Sequence, residues 1–453
     1  MQVKSSFTPS WGVRLQFLLA GVVLTLFMRY VWRFSLANGD EFFFAGLKNT
    51  AQIGSYSLAT LNDFLHFLWF EHTGRTADFL STFVYYFGFD AGKWIVSALT
   101  GFSVSLIAFS LYRSWLVFSP SRMLPKSSGW VALTVSLFAL FSPAVLNTAY
   151  ISNLLVYSAA ICNYLVFVAL LTYAWSLSLT ASSLNSWLVP AGLVFVVGTS
   201  HEQASLSVIT LVFLAFVFRF STSSKLGLAV FAGAGLVGSA LMLGSPGLAN
   251  KLGRASAALN HQQGLISKAT NSLYALAAQY HLLPVFILVV GLVSLLLISK
   301  HQLARGISVS GPFYAAVAFA LLAAATLSIP LASGVGQVRV FHYPLILGAL
   351  AGGYAYYLGA VVLCAGQRSS LGTKILILVF CVLAVFGAFR TYNSQVRNFP
   401  LGEVQLLEQI DSCPIEDCML VDLTGLPVHH GFSGYGEHDY AHTGYMTLWL
   451  ESK

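Results

Sequence analysis

Residues 192–218 read GLVFVVGTSHEQASLSVITLVFLAFVF, two apolar runs interrupted once, by Ser200-His201-Glu202-Gln203. The runs belong to longer apolar stretches at 186–200 and 203–218, and neither alternates as a half-buried strand would. Backbone groups in lipid have to pair within their own segment, so such runs mean membrane helices. The four polar residues then form a tight turn at one membrane surface. Gly, Ser or Asn would make that turn without an ionisable pair. His201 and Glu202 therefore read either as functional groups or as a packed pair that braces the hairpin.

The same pattern extends in both directions. Apolar stretches at 15–32, 95–112, 130–146, 159–178, 226–243, 282–299, 313–331, 342–364 and 374–389 bring the expected number of spans to about eleven. Of the 453 residues, 57% are hydrophobic and 9% are charged. Soluble domains carry roughly 25% charged residues, which excludes that class. The expected architecture is an all-α polytopic membrane protein. Its multi-pass domain covers 1–390, with outer loops at 37–90, 147–158 and 244–281, and a small extracytoplasmic appendage covers 391–453. In the appendage, 403–412 has helical spacing and Cys418–Leu423 reads as a short strand. The first apolar stretch is long enough to span and no small-residue cleavage site follows it, so it reads as a helix rather than a signal peptide.

Charge sets the expected orientation. With the N-terminus in the cytoplasm, most inner loops hold Lys or Arg, such as Arg113, Arg122 and Lys126, Arg219 and Lys225, or Arg368 and Lys374. Only the 179–185 connection lacks one. All 16 acidic residues then fall at the outer face: six in the first loop, Glu202, and nine in the tail. The tail carries a net −7 and the remainder +14. This segregation reads as a functional map, because acids contribute little to orientation. Cys413 and Cys418 can form a disulfide if the tail is extracytoplasmic.

Several short constellations lie on that face. Asn38-Gly39-Asp40-Glu41 follows the first span; either carboxylate can act as a general base, or Asp40 simply caps a helix. Glu71, Arg75 and Asp78 would share a face if 71–78 is helical, as a salt-bridge ladder or as an Arg held by carboxylates and aimed at a phosphate. Asn163-Tyr164 suits sugar hydroxyls or an aromatic belt. Gly244-Ser245-Pro246-Gly247 predicts a turn into a helix that carries Asn250, Lys251 and Arg254, either an anion site or contacts to lipid phosphates. Arg339 and His342 share a face at i, i+3. The spacing is not that of a nucleotide P-loop.

Taken in order, Gly39-Asp40-Glu41, Gly74-Arg75, Asn163-Tyr164, His201-Glu202, Ser245-Pro246-Gly247 with Asn250 and Arg254, and Arg339 resemble class C membrane glycosyltransferases, the GT-C type. More narrowly they are similar to a poorly characterised bacterial multi-pass family of that type. Where that family tends to an Asp-Asp pair, this chain has Asp40-Glu41. The resemblance implies a bacterial inner or plasma membrane enzyme that moves a sugar from a polyprenyl-phosphate donor to a glycan or lipid-linked acceptor at the outer face. It implies Asp40 or Glu41 as catalytic carboxylate, with Arg75, Lys251, Arg254 and Arg339 on the donor phosphate. His201, Glu202, Asn163, Tyr164 and Asn250 would orient acceptor or base. A divalent cation at Asp40, Glu41 and Glu202 is open, and no resident metal site is assigned. Membrane lipids are expected partners and nucleic acid is not. The rival readings are an O-antigen-type polymerase or ligase, and a lipid-linked glycan transporter; polar groups confined to one face count against the transporter.

Overall fold

The computed structural model describes residues 9–32, 58–86, 89–118, parts of 129–141, 158–218, 224–258, 264–280, 310–333, 341–364, 382–383 and 385–393. Every described element is a helix. In chain order these are α1 (Trp11–Trp32), α2 (Leu58–Phe67, running into a π turn at Leu68–His72), α3 (Thr76–Tyr85), α4 (Phe89–Phe118) and α5 (Ser158–Ser178, with a π turn at Ile161–Leu165). Then follow α6 (Leu184–Ser200), α7 (Glu202–Phe218), α8 (Lys225–Leu243), α9 (Pro246–Ala258), α10 (Leu265–Tyr280), α11 (Ser310–Ser333) and α12 (His342–Cys364).

Five described helices are long and apolar enough to cross a membrane: Trp11–Trp32, Ala91–Phe118, Ser158–Ser178, Lys225–Leu243 and Phe313–Ala332. Leu184–Ser200 and Glu202–Phe216 are shorter apolar helices. The expected span at 342–364 coincides with α12. Those at 130–146 and 374–389 are described only in part, and 282–299 lies outside the described residues, as does the appendage beyond residue 393.

Helix α1 displays the lipid logic. Phe17, Gly21, Leu24, Met28 and Val31 are buried, whereas Leu18, Leu19, Val22, Val23 and Leu26 are exposed along the other side. An apolar face of that length is a liability in water and ordinary in hydrocarbon. The buried side of α1 packs on α4. Arg29, near the end of α1, lies over the Trp94 ring at 5.1 Å from its centroid, a cation–π contact.

The hairpin α6–α7 packs with α8 through small residues. A side chain at Gly198 would meet the Ser239 nitrogen at 2.9 Å, and one at Gly238 would meet the Phe195 carbonyl at 2.5 Å. Backbones approach this closely only where no Cβ stands between them. Helix α6 begins after a connection, 179–185, that holds no basic residue, and a capping box sets its start. Ser183 Oγ accepts the Ser186 N–H at 3.4 Å, and Ser186 Oγ accepts the Ser183 N–H at 2.9 Å. Deeper in the bundle, Trp175 Nε1 donates to the Tyr354 hydroxyl at 3.0 Å, which satisfies a polar group that lipid could not.

Candidate functional site

At one end of the bundle the C-terminus of α6 meets the N-termini of α7, α9 and α12 and the π turns of α2 and α5. The first piece is built by a sharp turn. The N–H groups of Thr73 and Gly74 both donate to the Leu68 carbonyl, at 3.1 and 2.9 Å. Gly74 adopts φ +65°, a left-handed conformation that L side chains rarely hold. Arg75 follows in extended conformation, and α3 starts at Thr76. The face that Glu71, Arg75 and Asp78 would share in one continuous helix does not form, because the helix ends at His72 and Gly74 turns the chain. Asp78 turns inward and accepts a hydrogen bond from the Thr73 hydroxyl.

Released from a helix, Arg75 reaches across to Glu202. Its Nε donates to Oε2 at 2.9 Å, and its Nη2 lies 2.9 Å from Oε1 and 2.6 Å from Oε2. Lys251 Nζ donates to Oε1 at 2.7 Å from the other side. Glu202 is the first residue of α7, just ahead of the apolar stretch, where the helix N-terminus favours a carboxylate. Side-chain exposures of 19% for Arg75, 15% for Glu202 and 33% for Lys251 leave the triad half-submerged.

Lys251 is delivered by α9, which begins as the Gly-Ser-Pro-Gly turn predicts. Ser245 Oγ accepts the Leu248 N–H at 3.3 Å and Pro246 takes the first helical position, where its missing N–H costs nothing. Asn250 does not point to the triad: its Nδ2 donates to the Phe70 carbonyl at 3.0 Å and ties α9 to the first-loop turn. Gly247 lies against the backbone of Trp69 and Gly74, and a side chain at Gly74 would collide with Ser245. Thr76 adds a third link, its hydroxyl donating to the Thr199 carbonyl at 3.0 Å.

Behind the triad sits His201, the C-cap of α6, in extended conformation and 1% exposed. Its ring meets Tyr164 edge to face at 5.3 Å and Tyr343 at 5.0 Å, with Phe167 at 6.2 Å. Tyr343 shares a hydrogen bond with Ser207 at 2.9 Å. His201 Nδ1 accepts the Ala204 N–H at 3.4 Å, which leaves the ring proton on Nε2. Asn163 occupies the π turn beside Tyr164 and is 8% exposed.

The charges reinforce one another. Burial alone would depress the Arg75 guanidinium, but Glu202 and Asp78 outweigh it and hold it above its ordinary value. Burial would raise the Glu202 carboxyl, and the two cations overcome that and keep it well below the usual range. The Lys251 ammonium is pulled down by burial and by Arg75, with Glu202 opposing. Burial pushes His201 down to about 3, and the Arg75 charge acts in the same direction. The imidazole is neutral at physiological pH.

No family model, curated protein or solved structure matches this chain. The site has to be read from its own chemistry. Arg75, Lys251, Glu202, His201 and Tyr164, scattered over 177 positions from 75 to 251, come together. Asp40, Glu41 and Arg339 lie outside the described residues, and Arg254 lies on α9 without a described side chain. Among the described residues no three His, Cys, Asp or Glu side chains gather as a metal site. A divalent ion on Glu202 would have to displace or face two cations that already hold both carboxylate oxygens. Thr199 and Ser207 carried no signal in the sequence, since each is defined by a partner more than a hundred residues away.

What the arrangement can do follows from unspent donors. Glu202 uses Nε and Nη2 of Arg75 and one hydrogen of Lys251. Among the described residues nothing accepts from Arg75 Nη1 or from the other two ammonium hydrogens. Two cations held in place by a shared carboxylate, partly exposed and with donors that no described residue occupies, can seat an anion.

Proposed function

We propose that this chain is a membrane glycosyltransferase that moves a sugar from a polyprenyl-phosphate donor to an acceptor on the outer face of the membrane, in cell-envelope glycan or glycolipid modification. The observation that carries this reading is the Arg75–Glu202–Lys251 triad, an anion seat at one end of a bundle of apolar helices. A phosphate on a lipid tail is an anion delivered at that depth. The order of motifs and the acid-rich first loop support the reading further.

In this mechanism an acceptor hydroxyl oxygen attacks the anomeric carbon and the bond from that carbon to the phosphate oxygen breaks. The configuration inverts, and polyprenyl phosphate leaves with the bonding pair. The hydroxyl proton passes to Asp40 or Glu41. Arg75 and Lys251, joined by Arg254 and Arg339, take up the charge that develops on the leaving phosphate. Glu202 does not act as the base. Two cations hold it anionic and spend its lone pairs, so its task is to fix their positions. On this reading the N-terminus is cytoplasmic, the appendage extracytoplasmic, and the span count about eleven.

The test is transfer from a panel of radiolabelled polyprenyl-phosphate sugars in proteoliposomes. Wild type is compared with Asp40→Asn, Glu41→Gln and Arg75→Ala, each checked for normal insertion. Loss in Arg75→Ala and in one of the two carboxylate variants supports the reading and names the base. Transfer retained in all three removes the proposed site. Flipping of a lipid-linked glycan by a wild type that transfers no sugar would make the chain a transporter.

A further inference from the structure

The triad explains Arg75, Glu202 and Lys251 but not the buried group next to it. His201 is 1% exposed, its Nδ1 is spent on Ala204, and among the described residues its Nε2–H has no acceptor. Leaving a buried N–H unmet is costly, so natural interiors rarely do so without a partner that comes and goes. A second orphan lies on the adjoining turn. Asn163, 8% exposed, has an Oδ1 that meets no donor among the described residues. Tyr164 connects the two, following Asn163 on the π turn of α5 and meeting the His201 ring at 5.3 Å.

One orphan is a donor and the other an acceptor. A hydroxyl is the simplest group that answers both, because its oxygen accepts while its hydrogen donates. Neighbouring hydroxyls of one sugar ring can also answer them separately. The π turn is itself a sign of purpose, since an inserted residue disturbs the helix ladder and such turns recur at functional sites. The position is right as well: Glu202 follows His201 directly in the chain, and Glu202 holds both Arg75 and Lys251. A ligand bound here lies beside the anion seat.

We propose that His201 and Asn163 form a hydroxyl-recognition subsite next to the Arg75–Lys251 anion seat, with His201 Nε2–H donating to a sugar hydroxyl and Asn163 Oδ1 accepting from one. The inference rests on the transferase reading for which sugar occupies it, and on the geometry alone for its chemistry. His201 serves as a neutral, fixed-tautomer donor. It positions the sugar and takes no proton from it. A single ordered water presents the same chemistry and is the competing source of the oxygen.

The experiment uses the full chain in lipid nanodiscs and a panel of methyl hexopyranosides and methyl pentopyranosides as probes. Binding is read by saturation-transfer NMR, and the site by a density map at saturating glycoside. Wild type is expected to bind at least one methyl glycoside with an oxygen in hydrogen-bond contact with His201 Nε2. His201→Phe and Asn163→Leu are each expected to weaken that binding at least about tenfold, the worth of one neutral hydrogen bond, while His201→Gln, which keeps an N–H donor, retains most of it. Three results overturn the proposal: no glycoside binds wild type, binding is unchanged in a folded His201→Phe, or the map at saturating glycoside shows only a water at Nε2. The map decides the question even if the Phe variant does not fold. Glycoside binding that depends on His201 without any sugar transfer leaves the subsite standing and removes the transferase reading. Transfer without such binding does the reverse.

Discussion

Arg75 and Glu202 stand 127 positions apart in the chain and meet with a guanidinium nitrogen 2.6 Å from a carboxylate oxygen. The pair joins the first loop to the α6–α7 turn, and Lys251 extends the link to α9. Structure and proposed chemistry thus rest on the same carboxylate.

Glu202→Ala leaves two half-buried cations facing each other. The expected loss is about 1–3 kcal/mol, below the range for fully buried pairs because solvent reaches all three groups. Thermal unfolding of purified protein measures it. A melting temperature equal to wild type would mean the triad contributes nothing to the fold. Lys251→Met is expected to cost less on its own, and the double variant less than the sum, since both remove the same contact.

The pH dependence has a definite sign. The Glu202 carboxyl is depressed in the folded protein below its ordinary value of 4.5. A depressed acid contributes stability above its unfolded value and loses it as pH falls through the folded one. The stability gap between wild type and Glu202→Gln should hold steady from neutral pH to about 5 and shrink only below that. A gap that closes between neutrality and 5 would contradict the assignment.

Gly74→Ala tests the turn that frees Arg75. The added methyl forces a left-handed alanine and runs into Ser245, for an expected cost of about 1–3 kcal/mol. Combining it with Ser245→Gly should relieve the collision but not the backbone strain. Recovery to full wild-type stability in the double variant would show that the conformation itself costs nothing.

Gly238→Val probes the α6–α8 seam, where a side chain has to displace the Phe195 backbone. Overpacking of this kind costs about 1–3 kcal/mol and should lower the yield of folded protein in detergent. Normal yield and melting temperature would mean the two helices separate without penalty.

Much of this was legible before any coordinates. The apolar stretches of α1, α4, α5, α8 and α11 announce helices long enough to span, and the Ser245-Pro246 cap announces α9. His201-Glu202 stands out in the sequence as an ionisable pair in a turn that needs none. The helical register of Glu71, Arg75 and Asp78 left their arrangement open, and the break between His72 and Thr76 decided it.

The sequence by itself determined that this is a helical protein with membrane-length apolar runs, because hydrophobicity and capping are local and survive in a linear string. Only the tertiary structure decided which carboxylate holds Arg75, that Lys251 shares it, and that His201 is buried with a ring proton that no described residue accepts. Those facts depend on turns at Gly74 and Gly244 bringing distant segments within 3 Å. An ion pair across 127 residues has no period, and nothing in either neighbourhood encodes its partner.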